Sequence, residues 1–563
     1  MTQTDNPTIE ASSTSLAARL AWVALIFATL YICYFYNLSA IGLVGPDEPR
    51  YAWIARNMAE TGDWVTPRLY GKPWFEKPVL YYWGAALSFK LFGVSEVTAR
   101  LPSALSALLA TLAMAWLALR IYGHQTARWL LLLLPATVGM IGFSHAAATD
   151  MPFAAMLAIA MVCVAAILGL TQNQCTPILP RTPWLALLLF GFFLGLAVLA
   201  KGPAAILLSG GAVFLWALAT KRWRDAFRCL HPIAVASFGL TALPWYILCS
   251  RRNPDFFRVF IIEHNFKRYF TPEFQHIQPF WFYIPILLIA FIPWTPLLLW
   301  SGFRGLVGWQ QSRQLSAFVI FLLSWAGFCV LLFSTSQSKL PGYILPALPP
   351  MALILATSYL REAIRRSRLF LWLQCSVGTS AILVAIVVWS LPFGVSRITM
   401  RVATGGGWVL ALLGIANLIL AIPPRKKFAG FIVPSMCVLP VLLIVLAFRP
   451  LALDFLPRDP SGRSLAAEAA KFQPTADALR VGLYVARMNR GQQFSLSFYL
   501  HREILDWESA RPADSFVILP SRSASCGPPI VPPWSCSRNA LELGSTGWLL
   551  YRVTKGDRTK AQD

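Results

Sequence analysis

The chain has 563 residues and a formal net charge of +23, with 57% hydrophobic residues against 13% charged. Long apolar runs recur along it, and a bilayer core about 30 Å thick takes roughly 20 apolar residues per helical span. A set of soluble domains is therefore excluded and a polytopic membrane protein specified. The basic residues alternate with apolar spans and form neither a tail nor a nucleic-acid motif. That excludes nucleic acid as a partner and leaves membrane orientation and anionic headgroups as the reason for the charge.

In chain order, the N-terminus is polar up to about Ser15. It runs into a first span, Ala17 to Leu38, with no small-residue cleavage site, which reads as an uncleaved span rather than a signal peptide. Gly45 to Pro78 follows, a loop of 34 residues holding ten charged side chains, five of each sign. Tyr51, Ile54, Ala55 and Met58 recur in it at helical spacing and Gly62 is a natural stop, which predicts a helix starting at Asp47-Glu48. Val79 to Phe92 is apolar, but it is too short to cross and contains Lys90, which predicts a helix lying at the interface.

Further spans are expected near 98–121, 126–143, 151–171, 183–200, 204–220, 230–249, 279–303, 315–334, 341–360, 369–392, 407–422 and 428–448. With the first, that makes about 13. The loops Lys221-Arg222-Trp223-Arg224, Arg365-Arg366-Ser367-Arg368 and Arg425-Lys426-Lys427 are almost purely basic, and all three fall on the side of the N-terminus, which is then cytoplasmic. The opposite loops are Gly45–Pro78, Ser144–Asp150, Lys201–Pro203, Arg251–Gln278 and Ser336–Tyr343. They mix acids, bases, histidines and aromatics, so the polar chemistry collects on one external face. A transporter would place ionisable groups near the midplane instead; the pattern fits an enzyme at the outer leaflet.

The division expected is a transmembrane catalytic domain over 1–450 and a soluble, external α/β domain over 451–563. Within the second, Ser461–Lys471 reads as a helix, and Arg480–Val485, Ser515–Leu519 and Trp548–Val553 read as strands. Eight of the ten cysteines lie in or beside apolar spans as small core residues. Cys526 and Cys536 share a polar, Pro-rich loop, where an oxidising compartment would favour a disulfide.

Candidate site residues come from the external loops. Asp47 and Glu48 read either as an N-cap with a first-turn acid or as a base or metal ligand aimed outward. Glu76-Lys77, between Pro73 and Pro78, is a surface ion pair or, among Trp74, Phe75, Tyr81 and Tyr82, a cation placed to meet a lipid phosphate. Asp150 is a helix cap or a second acid. His264, in Glu263–Arg268, could join carboxylates around a divalent ion, the imidazole and carboxylate set suiting zinc. Lys201, Arg268 and Lys339 share the external face by topology and could clamp a phosphate, with Tyr343 adding a hydroxyl.

Asp47-Glu48 before a helix, followed by GDWVTPRLYGKPWFEKPVLYYW, resembles the lipid-linked glycosyltransferases of the GT-C fold. Within them the chain is most similar to the 4-amino-4-deoxy-L-arabinose (aminoarabinose) transferases of lipid A, relatives of the protein O-mannosyltransferases. The resemblance implies transfer of aminoarabinose from undecaprenyl phosphate to lipid A phosphates at the periplasmic face of the bacterial inner membrane, giving resistance to polymyxin and other cationic peptides. It also implies Asp47, Asp150 and Glu76 as catalytic acids, a divalent metal ion near Glu76 and His264, and a carrier-phosphate site of Lys77, Arg268 and Tyr343. Lys201 and Lys339 are added from topology alone. A monomer is expected. The alternatives are a related transferase using another sugar or a protein or glycan acceptor, and a lipid transporter.

Overall fold

The computed structural model describes residues 16–171, 183–267, 269, 277–312, 315–365, 461–479, 481–520, 530, 534–536, 541–543 and 546–555, with short helical pieces between 378 and 446. The first part is helical: α1 (Leu16–Tyr34), α2 (Asp47–Thr61), α3 (Leu80–Phe92), α4 (Glu96–Tyr122), α5 (His124–Leu133), α6 (Val138–Ser144), α7 (Asp150–Ile167), α8 (Trp184–Lys201) and α9 (Ala204–Thr220). After these come α10 (Trp223–Phe227), α11 (Pro232–Arg252), α12 (Tyr283–Ala290), α13 (Thr295–Ser312), α14 (Ala317–Ser334) and α15 (Leu348–Arg365).

Among the described residues seven helices are long and apolar enough to cross a membrane, or nine if each of two bent pairs is one span. The expected spans near 126–143 and 279–303 are these pairs. The first bends by 63° and the second by 119°, each next to a proline, Pro135 or Pro293, that cannot continue a helix. The expected span near 369–392 lies largely outside the described residues, and those near 407–422 and 428–448 are described in part, as the short apolar helices Gly407–Ala416 and Cys437–Leu446.

The spans pack through small residues, as helices in lipid do when backbones approach closely. Ala154, Ala155, Ala158 and Ala165 of α7 are buried between α4 and α8. A Cβ on Gly191 of α8 would overlap the Ala234 carbonyl of α11, so those two helices meet backbone to backbone.

The first external loop is built against these spans. Residues 63–79 fold back through a short antiparallel pair, β1 (Arg68–Leu69) with β2 (Lys72–Pro73). α3, too short to cross, buries Tyr81, Tyr82, Ala85 and Ala86 under α2. Tyr51, Ile54, Ala55 and Met58 of α2 are buried as their spacing predicts, but so are Ala52, Trp53 and Arg56. α2 is thus not a surface helix with one apolar stripe, because its other side is covered by a helix from the far end of the chain.

That helix belongs to a mixed sheet near the C-terminus. The sheet has β3 (Gly482–Val485), β4 (Leu505–Asp506), β5 (Asp514–Pro520), β6 (Trp534–Cys536), β7 (Leu541–Glu542) and β8 (Trp548–Lys555), in the order β4-β3-β5-β8-β6, with β7 also on β8. β3 is parallel to β4 and β5, whereas β5 and β6 are antiparallel to β8. Alternate residues of β5 face opposite sides: Ile518 packs with α16 (Arg463–Ala470) and α17 (Arg490–Leu500), and Val517 and Leu519 with Trp507 and Tyr551. α17 also lies on α2. Phe498 and Phe494 join the core of the first loop, and the Arg56 guanidinium donates to the Phe498 carbonyl at 2.9 Å. Cys536 is disulfide-bonded, and Cys526, its expected partner, lies outside the described residues. Cys33, Cys163, Cys229, Cys249, Cys329 and Cys437 are free and buried.

Candidate active site

The turn before α2 aims its first residues. Gly45 takes a positive φ of 70°, which suits glycine, and Pro46 stands at the N-cap with no side chain capping the helix. Asp47 and Glu48 then part company. Glu48 turns inward and its carboxylate is fully used: Arg100 Nε and Nη2 donate to it at 3.1 and 2.7 Å, Ala147 N–H at 2.6 Å and Val44 N–H at 2.9 Å. Arg100 also donates to the carbonyls of Leu38, Ile41 and Gly42. Of the two acids, Glu48 is therefore a buried staple. It ties the first loop to α4 and to the loop that leads into α7.

Asp47 stays half exposed and does not cap its helix. Its Oδ1 accepts from Arg50 Nη2 at 2.5 Å, and the same guanidinium nitrogen lies 3.1 Å from Glu76 Oε2. Arg50 is held between the rings of Tyr51 and Trp74, with its central carbon 5.1 and 5.2 Å from the two ring centres. Lys77 Nζ is 3.8 Å from Glu76 Oε1. Desolvation holds the Asp47 carboxyl above the usual carboxylate range; Arg50 and Lys77 oppose that rise, and Glu76 and Asp150 add to it. Both sequence-predicted acidic positions of this loop thus meet on one arginine that the sequence reading did not single out. Among the described residues the buried Arg50 Nε and Tyr82 hydroxyl have no hydrogen-bond partner.

Across from this group, α7 begins at Asp150. Thr149 is its N-cap residue and makes no side-chain cap, so Asp150 is not a capping acid either. Its Oδ1 accepts from Lys201 Nζ, at the end of α8, at 2.5 Å. The same ammonium lies 4.4 Å from the centre of the Tyr343 ring. Asp150, Lys201 and Tyr343 therefore form one cluster from three separate loops. Gly342 is needed beside it, since a Cβ there would come within 2.6 Å of Asp150 Oδ1.

Glu76 and His264 line a common cavity of about 450 Å3, with Trp74, Phe75, Arg252 and Arg258. They are one carboxylate and one imidazole, and among the described residues no group of three or more His, Cys, Asp or Glu side chains stands ready to hold a metal ion. Lys339 is placed differently from the expectation. Its Nζ donates to the carbonyls of Gln278 at 2.9 Å and Ser336 at 2.6 Å, so the ammonium braces the loop before Pro341. Arg268 lies outside the described residues. The site therefore offers two acids on different elements, each with its own cation, and a further lysine. Such an arrangement can hold an anionic group and take up a proton nearby.

Comparison with known proteins gives the same neighbourhood. The dolichyl-phosphate-mannose-protein mannosyltransferase family matches residues 20–260. The undecaprenyl phosphate-alpha-4-amino-4-deoxy-L-arabinose arabinosyl transferase of Edwardsiella ictaluri is 33% identical over 407 residues, which cover 69% of this chain and 71% of that protein. The Pseudomonas aeruginosa protein of the same name is 34% identical over 341 residues, 60% of each chain. In fold, the crystal structure of ArnT from Cupriavidus metallidurans bound to undecaprenyl phosphate superposes with a TM-score of 0.74 at 24% identity, over 94% of this chain and 98% of that one.

Proposed function

The chain belongs to the family of undecaprenyl phosphate-aminoarabinose arabinosyl transferases, and we propose on that premise that it moves 4-amino-4-deoxy-L-arabinose from undecaprenyl phosphate to a phosphate of lipid A. It is a glycosyltransferase of a multi-pass membrane type. The one observation that carries the reading is the identity to the Edwardsiella protein, which runs through 71% of that protein's length. The site geometry agrees with it. We place the reaction at the periplasmic face of the inner membrane, because the expected order of spans puts the almost purely basic loops on the side opposite the acids of the site. The complete count of 13 spans and the separate external domain over 451–563 belong to the same proposal, as does a monomeric state.

The chemistry follows from the leaving group. Polyprenyl phosphate departs as a stable anion, so catalysis needs positive charge at its oxygens more than a proton donor. Lys77 and Lys201 supply it from two sides of the site, with Arg268 as the third cation and the Tyr343 hydroxyl as a donor. Lys339, held on two carbonyls, is the weakest member of the set. The acceptor phosphate is the nucleophile; a phosphate monoester keeps its second proton up to a pH of about 6. Asp47, whose carboxyl is raised by desolvation, is suited to take this proton, with Asp150 orienting Lys201. Displacement in one step inverts the anomeric centre: the bond from carbon to the carrier oxygen breaks as the bond to the acceptor oxygen forms.

Glu76 and His264 fit a divalent ion as two of its ligands, one oxygen and one nitrogen, and zinc suits that pair. Such an ion would add positive charge near the carrier phosphate. Elemental analysis of active protein tests this: about one divalent ion per chain, lost in Glu76→Ala and His264→Ala, is expected. A metal-free preparation with full activity removes it.

A second reading has one observation in its favour, the mannosyltransferase match over residues 20–260, which fits a hydroxyl on protein as the acceptor. The two are separated by offering purified protein lipid A and a hydroxyl-bearing peptide side by side with the labelled donor. Label on lipid A alone supports the first reading, and label on peptide alone supports the second.

A further inference from the structure

The segment 38–46, which delivers Asp47, contains no helix or strand. Its polar backbone groups must be satisfied from elsewhere, and they are reached from three directions. Arg100 takes the carbonyls of Leu38, Ile41 and Gly42, and Glu48 takes the Val44 N–H. The third direction is the C-terminal unit. Leu43 N–H donates to the Tyr499 hydroxyl at 3.1 Å, and that hydroxyl in turn donates to Glu96 Oε1 at 3.0 Å. Glu96 opens α4 and is also paired with Arg463 at 3.2 Å. One tyrosine from α17 therefore joins the segment before Asp47 to the start of a membrane span.

Two glycines mark how closely the parts meet. A Cβ on Gly491, at the start of α17, would stand 2.7 Å from the Gly45 carbonyl oxygen, two residues before Asp47. A Cβ on Gly42 would overlap the Ser461 hydroxyl and come within 2.7 Å of the Tyr499 hydroxyl. The third link is Arg56. Its side chain is only 6% exposed and binds the Phe498 carbonyl, more than two helical turns beyond Asp47 and Glu48. α17 thus presses on the turn at Gly45, on the irregular segment before it and on the body of α2 after it.

We propose that α17 is a positioning element of the active site: through Tyr499, Gly491 and the Phe498 carbonyl it sets where Asp47 stands. The C-terminal unit is then part of the catalytic scaffold. The proposal rests on the reading of Asp47 as catalytic. It is a claim about placement, and displacements of about 1 Å at a reacting group can cost on the order of a hundredfold in rate.

The test uses the full chain in detergent, with the polyprenyl-phosphate sugar as donor, in four variants. Tyr499→Phe removes only the bridging hydroxyl, and Gly491→Ala wedges a methyl group against the turn. Arg552→Ala breaks an exposed ion pair with Asp514 inside the sheet, and Asp47→Asn is the reference for loss of the acid. Tyr499→Phe and Gly491→Ala are expected to lower kcat about tenfold or more, leave the donor KM within about twofold, and speed amide exchange at Leu43 and Val44. Arg552→Ala is expected to stay within about twofold of the unaltered protein in both constants. Unchanged kcat in both α17 variants, with Asp47→Asn inactive, overturns the positioning role and leaves Asp47 in place. Faster exchange at Leu43 with kcat unchanged overturns it as well. Full activity of Asp47→Asn overturns the reading of Asp47 itself, whatever the α17 variants do.

Discussion

Asp47 and Glu48 are adjacent and chemically almost identical, yet the fold gives them opposite tasks. Glu48 ends in four hydrogen bonds inside the protein, whereas Asp47 keeps half its surface and shares Arg50 with Glu76. The pair was legible in the sequence as a site, but the division of labour was not, because burial is decided by α4 and the loop before α7. Arg50 could have been found: it stands three residues after Asp47, on the same face of the predicted helix. Its removal gives a signed prediction. Arg50 opposes the desolvation that raises the Asp47 carboxyl, so Arg50→Met raises that carboxyl further. The ionised form exists above its pKa and is lost as pH falls through it; a higher pKa therefore moves the acid limb of the kcat profile to higher pH. An upward shift of the acid limb is expected, read from kcat against pH, and an acid limb that does not move contradicts the assignment of Asp47 as the proton acceptor.

Between elements, the clearest device is the Glu48–Arg100 pair that fastens the first loop to α4. Both side chains are almost fully buried, 9% and 6% exposed, and they satisfy each other and five backbone groups. Removing one partner of such a pair leaves an uncompensated buried charge and costs about 3–5 kcal/mol. Arg100→Met is expected to lower the thermal midpoint of the detergent-solubilised protein strongly. The double variant Glu48→Gln/Arg100→Met should lose less than the sum of the single ones, since the lone charge is gone. Additive losses would place the two residues in separate roles. Arg100 also carried a readable signal, a lone cation near the start of an apolar span, where the default is a named partner. The helix positions themselves were largely legible from apolar run lengths. The bends at Pro135 and Pro293 were not drawn, although the prolines were there to read.

At the scale of the whole molecule, the charge pattern of the loops brought Asp47, Glu76, Lys77, Asp150 and Lys201 to one face; in the structure Asp47 and Glu76 share Arg50, Lys77 pairs with Glu76, and Asp150 and Lys201 pair beside Tyr343. The same reasoning says nothing about which carbonyls an ammonium meets, and Lys339 ends on those of Gln278 and Ser336. The docking of α17 on α2 was beyond reach of the sequence. It joins residues more than 400 positions apart, as in the bond from Arg56 to Phe498, and no periodicity reports such a contact. One helix and three strands of the C-terminal unit, α16, β3, β5 and β8, were readable one by one; α17, the short strands β4, β6 and β7, and the attachment to the catalytic loop were not. The central claim, that this assembled face transfers a sugar from a polyprenyl carrier to lipid A, is tested most directly by one reaction. Purified protein in detergent is given lipid A and undecaprenyl phosphate-linked aminoarabinose, and mass spectrometry follows both products. The account predicts that free undecaprenyl phosphate and sugar-modified lipid A appear together in equal amounts, and that neither appears with Asp47→Asn. Carrier release without modified lipid A, or no turnover by the intact protein, would contradict it.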